Sequence, residues 1–170
     1  TIEGVTRKFR VQFDTGAPHS TIYEKPLESL IARGVKFEIE GEKGNRMAKK
    51  VQLSLGGNKV DIASIQVLEN YGKAIDWQDS TSVIGLGTIG ADFIDQKVTM
   101  IDFKNQIIKL YEDRPNWMSS LSGFESFDFQ GRRLMLPVEI GERKRQLIYD
   151  SGCSAFGLIT SKNRFKKYSD

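Results

Sequence analysis

Cysteine and histidine are nearly absent from this chain, which has one of each among its 170 residues. A single cysteine excludes a disulfide within the chain. One histidine and one cysteine also exclude the ligand spacing of a zinc site. No apolar run approaches the roughly 20 residues that a membrane-spanning helix needs. We therefore expect no metal, no organic cofactor and no transmembrane segment.

Charge of one sign is not in marked excess either. The chain has 25 Lys and Arg against 22 Asp and Glu, a net charge of +3. The basic residues occur as scattered pairs, with no basic helix and no aromatic stacking platform, so we expect no nucleic-acid binding. Because Thr1 is not a natural start, removal of a signal peptide would place the protein in the periplasm or outside the cell. The sequence leaves the compartment open.

Alternation of apolar and polar residues dominates the chain, and helical periodicity is scarce. One short helix is predicted over residues 26–33, where Gly34 stops it. The short alternating segments predict a mainly β protein, with a closed or partly closed barrel. The strand-like segments are residues 8–13, 35–40, 51–55, 60–68, 98–103 and 106–111.

Two short segments of the chain are nearly the same. Residues 13–17 (FDTGA) and 149–153 (YDSGC) each place an Asp after a strand-like run, followed by a small hydroxyl residue and Gly. Two carboxylates within hydrogen-bond reach cannot both ionise, so they share a proton and can activate a water molecule. The pattern therefore predicts an aspartic peptidase with Asp14 and Asp150 as catalytic residues.

The similarity extends beyond the two motifs and indicates an internal repeat. It predicts a first lobe (residues 1–112), an interlobe linker (113–131) and an incomplete second lobe (132–170) related to the first by a pseudo-twofold axis. Aligning Asp14 with Asp150 also pairs Arg7 with Arg143, Lys8 with Lys144, Val11 with Leu147, Phe13 with Tyr149, Gly16 with Gly152 and Ile22 with Leu158.

The order of motifs in the first lobe resembles the retropepsin-like aspartic proteases, and is most similar to the bacterial members of that superfamily. The Asp-Thr-Gly turn at residues 14–16 is followed by an apolar-Gly segment, residues 89–94 (IGADFI), and then by residues 98–103 (VTMIDF). The resemblance covers residues 7–111, and residues 132–162 as the start of a second copy. It implies an acid-protease-type closed β-barrel lobe with short helices.

The resemblance also implies which residues support the two carboxylates. Thr15 and Ser151 would bond across to the opposite turn, and Gly16 and Gly152 would let backbone amides reach the carboxylates, with positive φ if needed. Ile89 and Gly90 would pass behind the Asp14 turn and buttress it. The segment Ile84-Gly85 is a less favoured candidate for that place.

A peptide or protein substrate would be held as an extended strand under a flap. The candidate flap is residues 37–48, and a plain surface loop is the alternative interpretation. Its candidate substrate-binding residues are Phe37, Ile39, Gly41 and Gly44.

The second copy has no flap and no apolar-Gly segment of its own, and this leaves three explanations open. The chain is a fragment of a longer protein, or the second lobe is reduced, or the first lobe pairs with another copy so that each chain supplies its Asp14. The repeat favours the single-chain arrangement, and the oligomeric state stays open. A peptide-binding barrel that does not cut its ligand is the alternative function, and a purely structural domain is a weaker one.

Four further side chains have simpler interpretations than catalysis. His19 is expected to hydrogen-bond within its loop, and Cys153 to fill a small packing position. Asp92 and Asp102 are expected to serve turns or to face solvent. The glycines of residues 85–90 lack the Lys-Ser/Thr of a phosphate-binding loop, so nucleotide binding is not expected.

Overall fold

The computed structural model describes residues 1–2, 4–153 and 157–168, and in these residues the protein is mainly β. The strands are β1 (Phe9–Phe13), β2 (Thr21–Tyr23), β3 (Glu38–Glu40), β4 (Met47–Leu55), β5 (Asn58–Leu68), β6 (Ile84–Ile89), β7 (Val98–Asp102), β8 (Ile107–Tyr111), β9 (Asp128–Gln130), β10 (Arg133–Ile140) and β11 (Arg143–Ile148), and the helices are α1 (Glu24–Ala32) and α2 (Lys162–Tyr168).

A six-stranded sheet with the order β1-β6-β2-β5-β4-β3 forms most of the first half of the chain. Strand β1 runs parallel to β6, from Phe9 opposite Ile84 to Phe13 opposite Ile89. Because parallel neighbours end at the same edge of a sheet, the turn that follows β1 lies beside the end of β6. This pairing brings the Asp14 turn next to the segment that begins at Ile89.

The two hairpins predicted within residues 51–68 and 98–111 are confirmed. β4 and β5 pair in antiparallel fashion from Met47 opposite Gln66 to Leu55 opposite Asn58, around a Gly-Gly turn. β7 and β8 form a second antiparallel pair. The alternation of apolar residues in these segments is the signal of strands with one buried face.

Helix α1 packs strongly buried residues against the main sheet. Leu27 and Leu30 are three positions apart, so they lie on one face, and both are at most 2% exposed. Burying each of them contributes about 1.5–3 kcal/mol. Pro26 lies in the first turn, where its missing N–H is tolerated. Gly34, at φ +94°, follows the last turn.

The second half of the chain contributes little to the core. Strands β9, β10 and β11 form a separate three-stranded antiparallel sheet, and β9 lies inside the segment that was predicted to be a linker. All buried hydrophobic residues among those described lie between Ile2 and Ala91. Helix α2 was not predicted from the sequence. No helix in the described part of the chain is long and apolar enough to cross a membrane.

The mainly β class is confirmed, whereas a closed barrel is not found among residues 1–2, 4–153 and 157–168. Closure would require the edge strands β1 and β3 to pair, and the main sheet contains no such pairing. Strand β3 has three residues and all of them are exposed. This edge therefore ends in a short solvated strand, and the predicted barrel stays unconfirmed.

Candidate active site

The Asp14 and Asp150 turns follow β1 and β11, two strands that occupy corresponding places in the repeat. The backbone N–H of Asp14 donates to the carbonyl of Ile89, 2.9 Å away, at the end of β6. The N–H of Tyr149 donates to the carbonyl of Leu134, 2.8 Å away, in β10. Each turn is thus anchored by a backbone bond to the neighbouring strand of its own sheet.

The hydroxyl residues of the two turns hydrogen-bond reciprocally across the interface between the halves. Thr15 Oγ1 donates to the carbonyl of Tyr149 at 2.7 Å, and Ser151 Oγ donates to the carbonyl of Phe13 at 3.0 Å. The backbone N–H of Thr15 donates to Ser151 Oγ, and the backbone N–H of Ser151 donates to Thr15 Oγ1, both at 3.0 Å. Four bonds therefore connect the turns, and Thr15 is 1% exposed. The hydroxyls expected to clamp the two turns are in contact.

Each carboxylate is also held by amides of its own turn. Asp14 Oδ1 accepts from the N–H groups of Gly16 at 2.9 Å and Ala17 at 3.2 Å. Asp150 Oδ1 accepts from Gly152 at 2.9 Å and Cys153 at 3.1 Å. Two amides on one oxygen fix the side-chain rotamer and leave the other oxygen of each carboxylate for the partner or for a ligand.

The glycines are required by close approach, not by backbone conformation. A Cβ atom added at Gly16 would lie 2.6 Å from Oδ2 of Asp150, and one added at Gly152 would lie 2.5 Å from Oδ1 of Asp14. A Cβ atom essentially never approaches another heavy atom this closely without a covalent bond between them. Neither glycine has a positive φ, so the positive φ allowed for in the sequence interpretation is not used.

The two carboxyl groups have different surroundings although their hydrogen bonds match. Burial raises the pKa of Asp14 above its ordinary value of 3.8, and the charge and hydrogen bond of Asp150 raise it further. The amide of Gly16 opposes this rise. Asp14 is half-buried and Asp150 is exposed. A carboxyl group with a raised pKa beside a second carboxyl group can keep a proton while its partner is ionised.

Ile89 and Gly90 lie directly behind the Asp14 turn. Besides the bond from Asp14 to Ile89, the N–H of Gly90 donates to Ser20 Oγ at 3.0 Å. A Cβ at Gly90 would lie 2.6 Å from the carbonyl carbon of His19, so the segment passes the loop at a distance that only glycine allows. Ile84, the start of the less favoured segment, pairs with Phe9 at the far end of β1.

The candidate flap is a hairpin formed by β3 and β4, and its tip is pinned. Phe37 packs against the core, and Ile39 in β3 is paired with Ala48 in β4. Gly41 and Gly44 have φ values of +87° and +92°, which non-glycine residues rarely adopt. The N–H of Gly44 donates to Glu69 Oε1 at 2.7 Å. The structure thus places this hairpin beside the end of β5.

An ion-pair cluster holds the same tip. The Arg46 guanidinium donates to Glu69 Oε1 at 3.1 Å and is paired with Glu24 at the start of α1. The backbone N–H of Asn70 and the Arg46 guanidinium both keep the pKa of Glu24 below its ordinary value. From the sequence, this segment is only a polar, glycine-bearing loop. The ion pairs could not be predicted because Glu24 and Glu69 lie 22 and 23 residues from Arg46.

We expect Arg46→Gln to loosen the tip of this hairpin. Hydrogen exchange of the backbone amides of residues 41–46 should become faster by roughly two- to fivefold, the range for solvent-accessible ion pairs. Lys50→Gln is the matched control, since Lys50 pairs with Glu38 at 2.9 Å in the same hairpin and is 80% exposed. Unchanged exchange in Arg46→Gln would show that the turn alone holds the tip.

Among the described residues, the side chain of His19 bonds to Arg132 and not within its own loop, so the prediction for His19 is wrong. Its Nδ1 lies 3.1 Å from Nη1 of Arg132, a residue of the second half, and the Arg132 Nε donates to Asp95 at 3.1 Å. Gln12 adds another contact between the halves, because its side-chain amide donates to the carbonyl of Gly152 at 3.3 Å. Sequence patterns miss these bonds because they join residues more than 30 positions apart.

The remaining singled-out residues have local roles in hydrogen bonding. The Asp102 carboxylate accepts from the backbone and side chain of Asn105 and closes the turn between β7 and β8, as expected for a turn residue. Cys153 is half-buried. Within residues 1–2, 4–153 and 157–168, no group of three His, Cys, Asp or Glu side chains converges as metal ligands do.

Comparison with known proteins adds no relative: no protein-family model matches the chain, and no curated protein matches it. The function is therefore inferred from the geometry of the two turns.

Proposed function

We propose that this protein is an aspartic endopeptidase that hydrolyses peptide bonds with a water molecule activated by Asp14 and Asp150 of one chain. The observation that carries the proposal is the reciprocal bonding of the two turns: Thr15 and Ser151 exchange two hydrogen bonds, and their hydroxyls donate two more to the carbonyls of Tyr149 and Phe13. These bonds hold each carboxylate close to the glycine of the other turn. Two such turns have no evident structural need for paired carboxylates, which repel each other when both are ionised.

The first step adds water to the scissile carbonyl group. Asp150, the more exposed carboxyl group of the two, serves as the general base and accepts a proton from the water while the water oxygen bonds to the carbonyl carbon. Asp14 keeps its proton because burial raises its pKa, and it donates that proton to the carbonyl oxygen. The product is a neutral diol intermediate, and the proton has moved from Asp14 to Asp150 overall.

The second step breaks the C–N bond. Asp150 gives its proton to the leaving nitrogen, and Asp14 takes a proton from one hydroxyl of the diol, so that a carboxylic acid and an amine leave. Both carboxyl groups then have their starting protonation states. No covalent bond forms between the protein and the substrate, so no acyl-enzyme is expected.

A retropepsin-like or pepsin-like membership, with an acid-protease barrel completed around the site, is part of this proposal. The feature that supports the membership is the position of Ile89 and Gly90 behind the Asp14 turn, whereas the open edge of the main sheet supports a peptide substrate. An extended peptide is the substrate class that pairs with sheet edges and hairpins. We propose the hairpin of β3 and β4 as the element that covers it.

A homodimer built from two Asp14 turns is less well supported than the single-chain pair. In a dimer of first lobes, the Thr15 hydroxyl would have to bond Phe13 and Thr15 of the other chain, which are the first-lobe equivalents of Tyr149 and Ser151. Thr15 already donates to Tyr149 and accepts from Ser151 within one chain. Those bonds would need to break before two first lobes could meet through this turn.

The proposal is tested by measuring cleavage of a peptide library from pH 3 to pH 7. We expect cleavage in acid and a decline as the pH rises through the raised pKa of Asp14, because deprotonated Asp14 cannot donate to the carbonyl group. Hydroxylamine added during turnover should trap no acyl product. Binding of peptides without cleavage at any pH would favour the non-catalytic binding protein instead, and a hydroxamate product would contradict the water mechanism.

A further inference from the structure

A partly buried hydrogen-bond network joins the loop after Asp14 to the segment that begins at Ile89. Asp92, the third residue after Ile89, accepts from the backbone N–H of Ser20 at 2.9 and 2.8 Å. It also accepts from the hydroxyl of Ser20 at 2.6 Å. Ser20 is 6% exposed, so these bonds are largely shielded from water. The carboxylate of Asp92 therefore binds a distant loop and neither closes a local turn nor simply faces solvent, which corrects the expectation for this residue.

The Ser20 hydroxyl has two partners and so connects two groups. While it donates to Asp92, its oxygen accepts the N–H of Gly90 at 3.0 Å. The N–H of Ala91 donates to the carbonyl of Ala17 at 2.8 Å. Four consecutive residues, from Ile89 to Asp92, thus contact the loop that carries Asp14.

The loop held in this way supplies the amides that orient the Asp14 carboxylate. Ala17 receives the bond from Ala91 at its carbonyl and donates its own N–H to Asp14 Oδ1 at 3.2 Å. Gly16 donates to the same oxygen at 2.9 Å. A displacement of the loop would therefore move both amides away from the carboxylate. Groups that hold a reacting residue through a second residue often affect reactivity strongly, since small misplacements are costly.

We propose that Ser20 and Asp92 are positioning residues for Asp14: the carboxylate of Asp92 orients the Ser20 hydroxyl, and together they fix the loop whose amides hold Asp14. This inference rests on the proposed peptidase function for its kinetic consequence. Its structural consequence is independent of that function. The amides of Gly16 and Ala17 lower the pKa of Asp14, so loosening them makes Asp14 titrate at a higher pH.

The test uses Ser20→Ala, with Ser20→Thr as the variant that keeps a hydroxyl. In Ser20→Ala, we expect kcat for a cleaved peptide to fall on the order of 10- to 100-fold, with KM changed less than about threefold. Carboxyl ¹³C NMR titration should show Asp14 titrating at a higher pH than in the parent protein. Ser20→Thr should restore both values toward those of the parent.

Asp92→Asn is the second variant, and Asp102→Asn is its charge-matched control. Asp102 closes a hairpin turn through Asn105, so its substitution removes one carboxylate charge and one of two hydrogen bonds at a place away from the Asp14 loop. We expect Asp92→Asn to lower kcat and Asp102→Asn to leave it unchanged. The folded fraction of each variant is measured by denaturant unfolding, so that lost activity is counted per folded molecule.

Two results would overturn the proposal. One is an unchanged Asp14 titration in Ser20→Ala, and the other is a kcat loss in Ser20→Ala or Asp92→Asn that is explained fully by a smaller folded fraction. If the parent protein cleaves no peptide, the proposed function fails, and the NMR titration still decides whether Ser20 positions Asp14.

Discussion

Replacing Asp14 with Asn is expected to abolish peptide cleavage, and replacing Asp150 with Asn is expected to do the same. Each substitution keeps the size of the side chain and removes one proton donor or acceptor from the pair. Loss of a general acid or base lowers rates by about 10²- to 10⁴-fold. Turnover of a peptide selected from the library, measured for each variant near the pH of maximal activity, checks this expectation.

The two variants also separate the single-chain pair from the homodimer. If Asp14→Asn abolishes cleavage and Asp150→Asn does not, two first lobes supply the catalytic groups, and the proposal for one chain is wrong. Asp79→Asn is the control, because Asp79 closes an exposed turn through Thr81 and Ser82 and has a pKa of about 2. It should cleave peptides at the parent rate.

Stability should respond to Asp14→Asn in the direction opposite to activity. Because the pKa of Asp14 is higher in the folded state than the ordinary value of 3.8, the parent protein loses stability as the pH rises from that value through the raised pKa. The Asn variant has no such loss. Its free energy of unfolding relative to the parent should therefore increase over this range and then level off, as measured by urea unfolding at several pH values.

Adding a single methyl group at the contact between the turns is the second change with a large expected effect. Gly16→Ala would place Cβ 2.6 Å from an Asp150 carboxylate oxygen, and Gly152→Ala would place it 2.5 Å from an Asp14 oxygen. The turns must separate to admit the methyl group, which weakens the bonds of Thr15 and Ser151. We expect a loss of stability of about 1–3 kcal/mol and a loss of cleavage of at least about 10²-fold.

Gly157→Ala is the matched control for these variants. A Cβ at Gly157 would meet nothing within 4 Å. Stability and cleavage should match those of the parent protein. If Gly16→Ala and Gly152→Ala also match the parent, the glycine of each turn does not lie against the carboxylate of the other turn, and the pairing of the carboxylates would lose its support.

Parts of the site that depend on local repetition could be anticipated from the sequence. Asp14 and Asp150 each follow an apolar strand and precede a hydroxyl residue and Gly, and equivalent sequences fold into equivalent turns. The hairpins around Gly56-Gly57 and Lys104-Asn105 could also be predicted, because alternation and turn residues are short-range signals. Helix α1 was predicted within two residues of its observed bounds.

Parts that depend on long-range contacts could not be anticipated. Ser20 and Asp92 are 72 residues apart, and nothing in either local sequence indicates that they bond. The same holds for His19 and Arg132, at a separation of 113 residues. Strand β9 was not predicted, because three residues within a polar, glycine-bearing segment are too few to show an alternation of apolar and polar residues. They form a strand only through their pairing with β10.

The sequence by itself determined the mainly β class and the two matching Asp-hydroxyl-Gly turns, because strand alternation and turn chemistry act within a few residues. Only the tertiary structure decided that Thr15 and Ser151 bond across the halves, and that Asp14 is half-buried where Asp150 is exposed. Burial and the charge of a neighbour set the pKa of a carboxyl group, and both depend on what the fold packs around it. Two similar motifs thus acquire different electrostatic surroundings.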